Sequence, residues 1–116
     1  MTNSYPDFVT SRCKFGGAIV KSMTADDAHM LHMTIGVSGE AGELLDAMKK
    51  AVIYRKPLDI ENVKEEIGDV LFYLQGLCNS IGYSFDEAMR DNMSKLNKRY
   101  SSGSYSDEQA IKREDK

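Results

Sequence analysis

Two acidic pairs stand out in this sequence by their spacing. Glu40 and Glu43 are three apart in "GVSGEAGELLDAMKK" (residues 36–50), and Glu66 and Asp69 repeat that step in "EEIGDVLFYL" (residues 65–74). On a helix, residues three apart share a face on adjacent turns, so each pair projects together. Ala41, Leu44 and Leu45 interleave with the first pair, and Ile67, Val70 and Leu71 with the second, which sets both pairs at the border of a core. If the pairs face each other, four carboxylates meet. Without a cation they repel and some of their pKa values rise. All-oxygen donors select a hard divalent ion, Mg²⁺ or Mn²⁺, and Mg²⁺ usually keeps positions for water and substrate phosphates. The chemistry expected is metal-assisted cleavage of a phosphate ester or anhydride.

The blander reading of an acidic pair is a solvated helix face. Two pairs on consecutive helices, each set among apolar residues, favour the metal. The glycines add to this. Gly36, Gly39 and Gly42 each cost roughly 1 kcal/mol relative to Ala in a helix interior. Gly39 and Gly42 flank the first pair, and Gly68 lies between Glu66 and Asp69, so all three offer clearance to a neighbouring helix or a phosphate. Gly36, a turn before Glu40, leaves room for another part of a substrate or marks a bend.

The elements that must position these residues are helical, since strand-like alternation is scarce. A short helix is expected over Asp7 to Phe15. A long one starts at Thr24, which caps it ahead of Asp26 and Asp27, and runs to about Tyr54, with Pro57 beyond its end. A third follows Asp59 and carries Ile60, Val63, Ile67, Val70, Leu71, Leu74 and Leu77 at steps of one, three and four, up to a stop at Gly82. The fourth opens on the capping box "SFDE" (residues 84–87) and ends near Tyr100. The expectation is an all-α domain, a four-helix bundle over residues 1–100, followed by a polar, mobile tail over 101–116.

The chain has 116 residues, 41% of them hydrophobic and 28% charged, enough for one domain with a modest core. So small a core suggests packing against a second copy, a homo-oligomer whose copy number (dimer or tetramer) the sequence itself does not set. A formal net charge of -3 and a pI near 5.3 disfavour a polymeric nucleic acid partner. No apolar run reaches the length of a membrane span. Cys13 and Cys78 have neither zinc-site nor disulfide-framework spacing, which suits thiols in a reducing, cytoplasmic setting.

Together with "NMSKLNKRY" (residues 92–100), the two acidic segments resemble the three signature segments of the MazG-like, all-α nucleoside triphosphate pyrophosphohydrolases. The resemblance spans about Thr24 to Tyr100 and extends to "LHMTIG" (31–36) and "YRKPLD" (54–59). It implies Mg²⁺-dependent hydrolysis of a nucleoside triphosphate between the α and β phosphates, giving a monophosphate and pyrophosphate. Glu40, Glu43, Glu66 and Asp69 take the place of the family's metal-binding, catalytic carboxylates. A phosphoribosyl-ATP pyrophosphohydrolase is the nearby enzymatic alternative, and a non-catalytic nucleotide-binding module the alternative from another class.

Substrate contacts follow from the same resemblance. Asn92, Lys95 and Arg99, at steps of three and four, match positions that approach the triphosphate; Lys49 and Lys50 match family positions farther from the carboxylates. Lys98 and Glu65 face elsewhere on their helices. His32 lies on nearly the same face as Glu43 but about 16 Å along the axis, a distance that suits the base end of a nucleotide. Tyr73, one turn after Asp69, is placed to stack on a base. For both, core packing is the competing role.

Overall fold

A computed structural model of the chain describes residues 4–116. Every regular element among them is a helix: α1 (Tyr5–Arg12), α2 (Gly16–Ser22), α3 (Ala25–Val52), α4 (Ile60–Ile81), α5 (Phe85–Arg99) and α6 (Asp107–Lys112). The all-α class holds. The single short helix expected over Asp7 to Phe15 is instead two, because Cys13 turns to an extended conformation and the weak helix formers Gly16 and Gly17 begin anew.

Side-chain caps fix where the long helices start. Thr24 Oγ1 accepts from the Asp27 amide at 3.0 Å while the Asp27 carboxylate accepts from the Thr24 amide at 3.0 Å, a reciprocal capping box. Asp59 accepts from the Asn62 amide at 3.1 Å to open α4, and Ser84 accepts from the Glu87 amide at 3.1 Å to open α5. Helix α3 stops at Val52, just short of Tyr54, and the chain reverses through Arg55 in the left-handed region at φ 57°. Gly82 ends α4 at φ 66° and ψ 41°, a conformation that glycine adopts without a side-chain penalty.

Helices α3 and α4 form an antiparallel hairpin, and α5 packs on α6; these are the substantial packings among the described residues. Glycines bring the hairpin together. The Tyr73 ring lies against the backbone at Gly36, and the Met33 side chain against Gly76, so that a Cβ at either glycine would collide with its neighbour. Gly36 therefore makes room for Tyr73, and no bend is needed to explain it. Gly39, Gly42 and Gly68 differ, for a Cβ on any of them meets open space. Their clearance serves nothing within one chain.

A single chain supplies only the α3–α4 half of the expected bundle. Among the described residues the only buried apolar ones are Met33 and Ala47, while Leu45, Phe72 and Met93 are each at least 65% exposed. The radius of gyration is 20.3 Å, against about 13 Å for a compact domain of this length. The physical reason lies in the α4–α5 turn, which directs α5 away from the hairpin. That turn is fixed by Gly82, by the Ser84 cap and by Tyr83, whose hydroxyl donates to the Asp91 carboxylate.

The segment 101–116, expected as a polar tail, carries the short helix α6 and contacts to α5. Ser106 caps α6, accepting from the Gln109 amide at 3.1 Å. Tyr100 and Tyr105 meet with ring centroids 5.5 Å apart. Asp115 folds back to Arg99, its oxygens 2.8 and 3.0 Å from Nε and NH2 of the guanidinium. A polar composition suggested no partner for this segment, and a bidentate ion pair supplies one.

Candidate metal centre

Helix α3 presents His32, Gly36 and Glu40 along one side, and α4 runs past in the opposite direction with Tyr73, Asp69 and Glu66. Carboxylate oxygens of Glu40, Glu66 and Asp69 come within 4.8 Å of one another, close enough to hold one cation between them. Glu66 is 9% exposed, its Oε2 is buried, and no hydrogen-bond donor reaches that oxygen. A buried carboxylate oxygen without a donor is costly and calls for a positive partner. No ion pair in the described chain provides one, because the nearby lysines on α3 and α4 are engaged elsewhere, Lys50 with Asp46 and Lys64 with Glu61. The Glu66 carboxyl is accordingly pushed up to about 7, first by its hydrogen bond with Glu40, then by burial, then by the charges of Glu40, Glu43 and Asp69. The donor set is entirely carboxylate, which fits a hard divalent ion.

The fourth expected ligand stands apart. Glu43 lies outside the 4.8 Å group, although its charge still reaches Glu66. It lines a cleft of about 390 Å³ with Asp46, Lys50, Lys56, Asp59 and Asn62 near the hairpin loop. Two apolar partners of the carboxylates, Leu45 and Ile67, are themselves exposed at 70% and 48%, so the acids border a core that one chain leaves open.

These spacings have a counterpart among known proteins. The family model of the MazG nucleotide pyrophosphohydrolase domain matches residues 29–103, which includes α3 from His29 onward and all of α4 and α5. The chain belongs to the MazG family. It is also 31% identical over 78 residues to the Gene 37 protein of Mycobacterium phage L5, covering 62% of this chain and 67% of that one. No solved structure is matched at a significant level. Membership of the MazG family makes this a nucleotide pyrophosphohydrolase domain, and the carboxylate cluster is where a divalent metal would be held.

The remaining expected residues of this MazG domain divide into two groups. His32 and Tyr73 do come together, with ring centroids 6.3 Å apart and planes at 59°, and Phe72 meets the edge of Tyr73 at 5.3 Å. Their row begins one turn from Glu40. Asn92 and Lys95 are exposed on α5, away from the hairpin's carboxylates. Arg99 is not free, since Asp115 takes its guanidinium, a pairing that local spacing does not reveal because fifteen residues separate the two. Lys49 lies 5.6 Å from the centroid of the Tyr54 ring, which occupies it at the hairpin loop. Gly76 was equally silent in sequence, a small residue in a helix with no chemistry of its own, yet it sets how closely α3 and α4 approach.

Proposed function

We propose that the protein hydrolyses nucleoside or deoxynucleoside triphosphates at the α–β phosphate bond in a Mg²⁺-dependent reaction, with Mn²⁺ as a substitute. The observation that carries this reading is the buried, donorless oxygen of Glu66 facing Glu40 and Asp69. Glu40, Glu66 and Asp69 would hold the metal, and Glu43 would join as the outer ligand on the loop side. When bound, the ion supplies charge neutralisation at the phosphate oxygens and lowers the pKa of water. Water adds at phosphorus, the bridging P–O bond breaks, and monophosphate and pyrophosphate leave with release of a proton.

The chain's own residues orient the substrate. Tyr73, held flat by Gly36, and His32 form an aromatic corner one to two turns from the carboxylates, the separation between a base and its phosphates in an extended nucleotide. Asn92 and Lys95 bind phosphate oxygens. Arg99, engaged by Asp115, stays out of the site unless that ion pair opens. The role that suits such an enzyme is limiting or cleaning a nucleotide pool. Among the described residues no helix is long and apolar enough to cross a membrane, and both cysteines are free thiols, which supports a cytoplasmic setting.

The test is to incubate the protein with Mg²⁺ and a panel of canonical and modified triphosphates and to separate pyrophosphate from orthophosphate. Pyrophosphate with a monophosphate product is expected. Orthophosphate with a diphosphate would refute α–β cleavage, tight binding without turnover would favour the nucleotide-binding module, and turnover confined to phosphoribosyl-ATP would favour that enzyme.

A further inference from the structure

The cleft at the hairpin loop adjoins the carboxylate cluster on both helices. Glu43 follows Glu40 by one turn of α3, and Asn62 precedes Glu66 by one turn of α4. The charge of Glu43 is felt by Glu66 on one side and by Lys50 on the other. His32 and Tyr73 lie in the opposite direction from Glu40 and Asp69. His32, Glu43 and Lys50 share one side of α3, because steps of eleven and seven residues are close to whole turns. Aromatic corner, carboxylates and cleft therefore succeed one another along a single flank of the hairpin.

The charges of the cleft are mixed. Glu43, Asp46 and Asp59 would repel a bare oxyanion, and Lys50 and Lys56 a bare cation. A diphosphate that carries a divalent ion answers both signs. Lys50 pairs with Asp46 at 3.0 Å, and Asp59 caps α4. That leaves Lys56 as the lining cation that makes no ion pair among the described residues. The loop pins its backbone: Arg55 reverses the chain at φ 57°, the Lys56 amide donates to the Lys50 carbonyl at 3.1 Å, and Pro57 follows with its restricted φ. Half-buried Asn62 lines the same cleft with a side-chain amide able to donate.

We infer that the triphosphate lies along the hairpin with its base end at Tyr73 and its β and γ phosphates in this cleft, where Lys56 and Asn62 bind the pyrophosphate leaving group in its divalent-ion complex. The inference deepens the pyrophosphohydrolase reading and rests on it for the identity of the substrate. The cleft, at about 390 Å³, falls in the range of small-ligand sites, roughly 300 to 1,000 Å³. The reverse orientation would set the phosphate charges against the rings of Tyr73 and Phe72 and put the base in a cleft walled by five charged side chains.

Calorimetric titration with inorganic pyrophosphate in Mg²⁺ tests this on the full chain, without reference to turnover. The unaltered chain should bind it, and Lys56→Ala should weaken binding at least about tenfold, with about threefold for Asn62→Ala, the scale of charge-assisted hydrogen bonds to phosphate. Lys56→Arg, which keeps the charge and the donors, should stay within about threefold. Lys64→Ala removes an equal charge from an exposed position of α4 and should stay within about twofold, as should His32→Ala at the base end, since both are remote from the cleft. Pyrophosphate binding that is absent in the unaltered chain, or unchanged in both Lys56→Ala and Asn62→Ala, overturns the inference. A loss at His32→Ala or Lys64→Ala as large as that at Lys56→Ala overturns it too, by reversing the orientation or reducing Lys56 to a general charge effect. Lys56→Ala should also raise KM for the triphosphate, and an unchanged KM would sink the assignment of the cleft while the pyrophosphohydrolase reading stands. Should the unaltered protein show no turnover, that reading fails, and the titration still decides whether the cleft takes a diphosphate.

Discussion

Two carboxylates in this chain have been pushed in opposite directions. Asp115, its side chain 1% exposed, meets the Arg99 guanidinium and is held down at about 2, chiefly by that hydrogen bond. Glu66, nearly as buried, meets another carboxylate and rises to about 7. The α5–α6 end answers its buried acid from within, whereas the hairpin leaves its own unanswered. A group whose charge is satisfied inside the fold is structural, and a group left in want of a positive partner is where an external cation does chemistry.

The largest expected effect comes from removing the unanswered charge. Glu66→Gln or Asp69→Asn should lower turnover by at least about a hundredfold, the scale on which a single preorganised electrostatic group acts. The helical circular dichroism signal should persist, and wild-type turnover in both variants would remove the metal assignment.

The pH dependence follows from the same contrast. Because Glu66 binds its proton more tightly in the fold, with a pKa raised from 4.5 to about 7, the metal-free chain takes up more protons folded than unfolded across that range. Its stability therefore falls as pH rises between those values. Mg²⁺ should reverse the trend by favouring the charged form, so melting temperatures in chelator and in Mg²⁺ should diverge from pH 5 to pH 8. Asp115 behaves oppositely: its contribution is present above 3.8 and lost as pH falls toward about 2. Parallel melting curves in chelator and Mg²⁺ would argue that no ion binds at Glu66.

Packing gives a smaller effect. Gly36→Ala gains about 1 kcal/mol in helix propensity but drives a methyl into the Tyr73 ring, an overpacking that typically costs 1–3 kcal/mol. A net loss of stability is expected in denaturant titrations, with a higher KM because Tyr73 must shift. Asp115→Asn should remove protection of the α6 amides in hydrogen exchange while turnover stays within about twofold, the scale of a change remote from the site. A lowered KM would mean instead that Arg99 had been withheld from the phosphates.

What was legible in the sequence was local. Caps at Thr24, Asp59 and Ser84, the stop at Gly82 and the two acidic pairs depend on neighbours within four residues, and the structure keeps each of those caps and stops. The relations that cross the chain were not legible. That Gly36 faces Tyr73, that Arg99 faces Asp115 and that α5 leaves the hairpin all depend on which helix faces which, and amphipathic spacing identifies a face without naming its partner. Glu43 shows the limit well, for its step from Glu40 places it on the same side of α3, yet it lies outside the tight group and lines the cleft near the hairpin loop instead.

Gly39→Ala offers the finest test of the two regions, because its effect depends on whether anything comes near Glu40. In the single chain a Cβ at this position touches nothing. The substitution should then stabilise α3 by about 1 kcal/mol, the ordinary gain from replacing a glycine in a helix interior. If the working enzyme brings a phosphate against this surface, the same methyl obstructs the approach. The expected outcome is thus a raised melting temperature of the metal-free protein at low concentration together with a raised KM for the triphosphate. A raised melting temperature with an unchanged KM would show that the surface beside Glu40 stays open during turnover, and the unanswered carboxylates would then have to be satisfied by the metal alone.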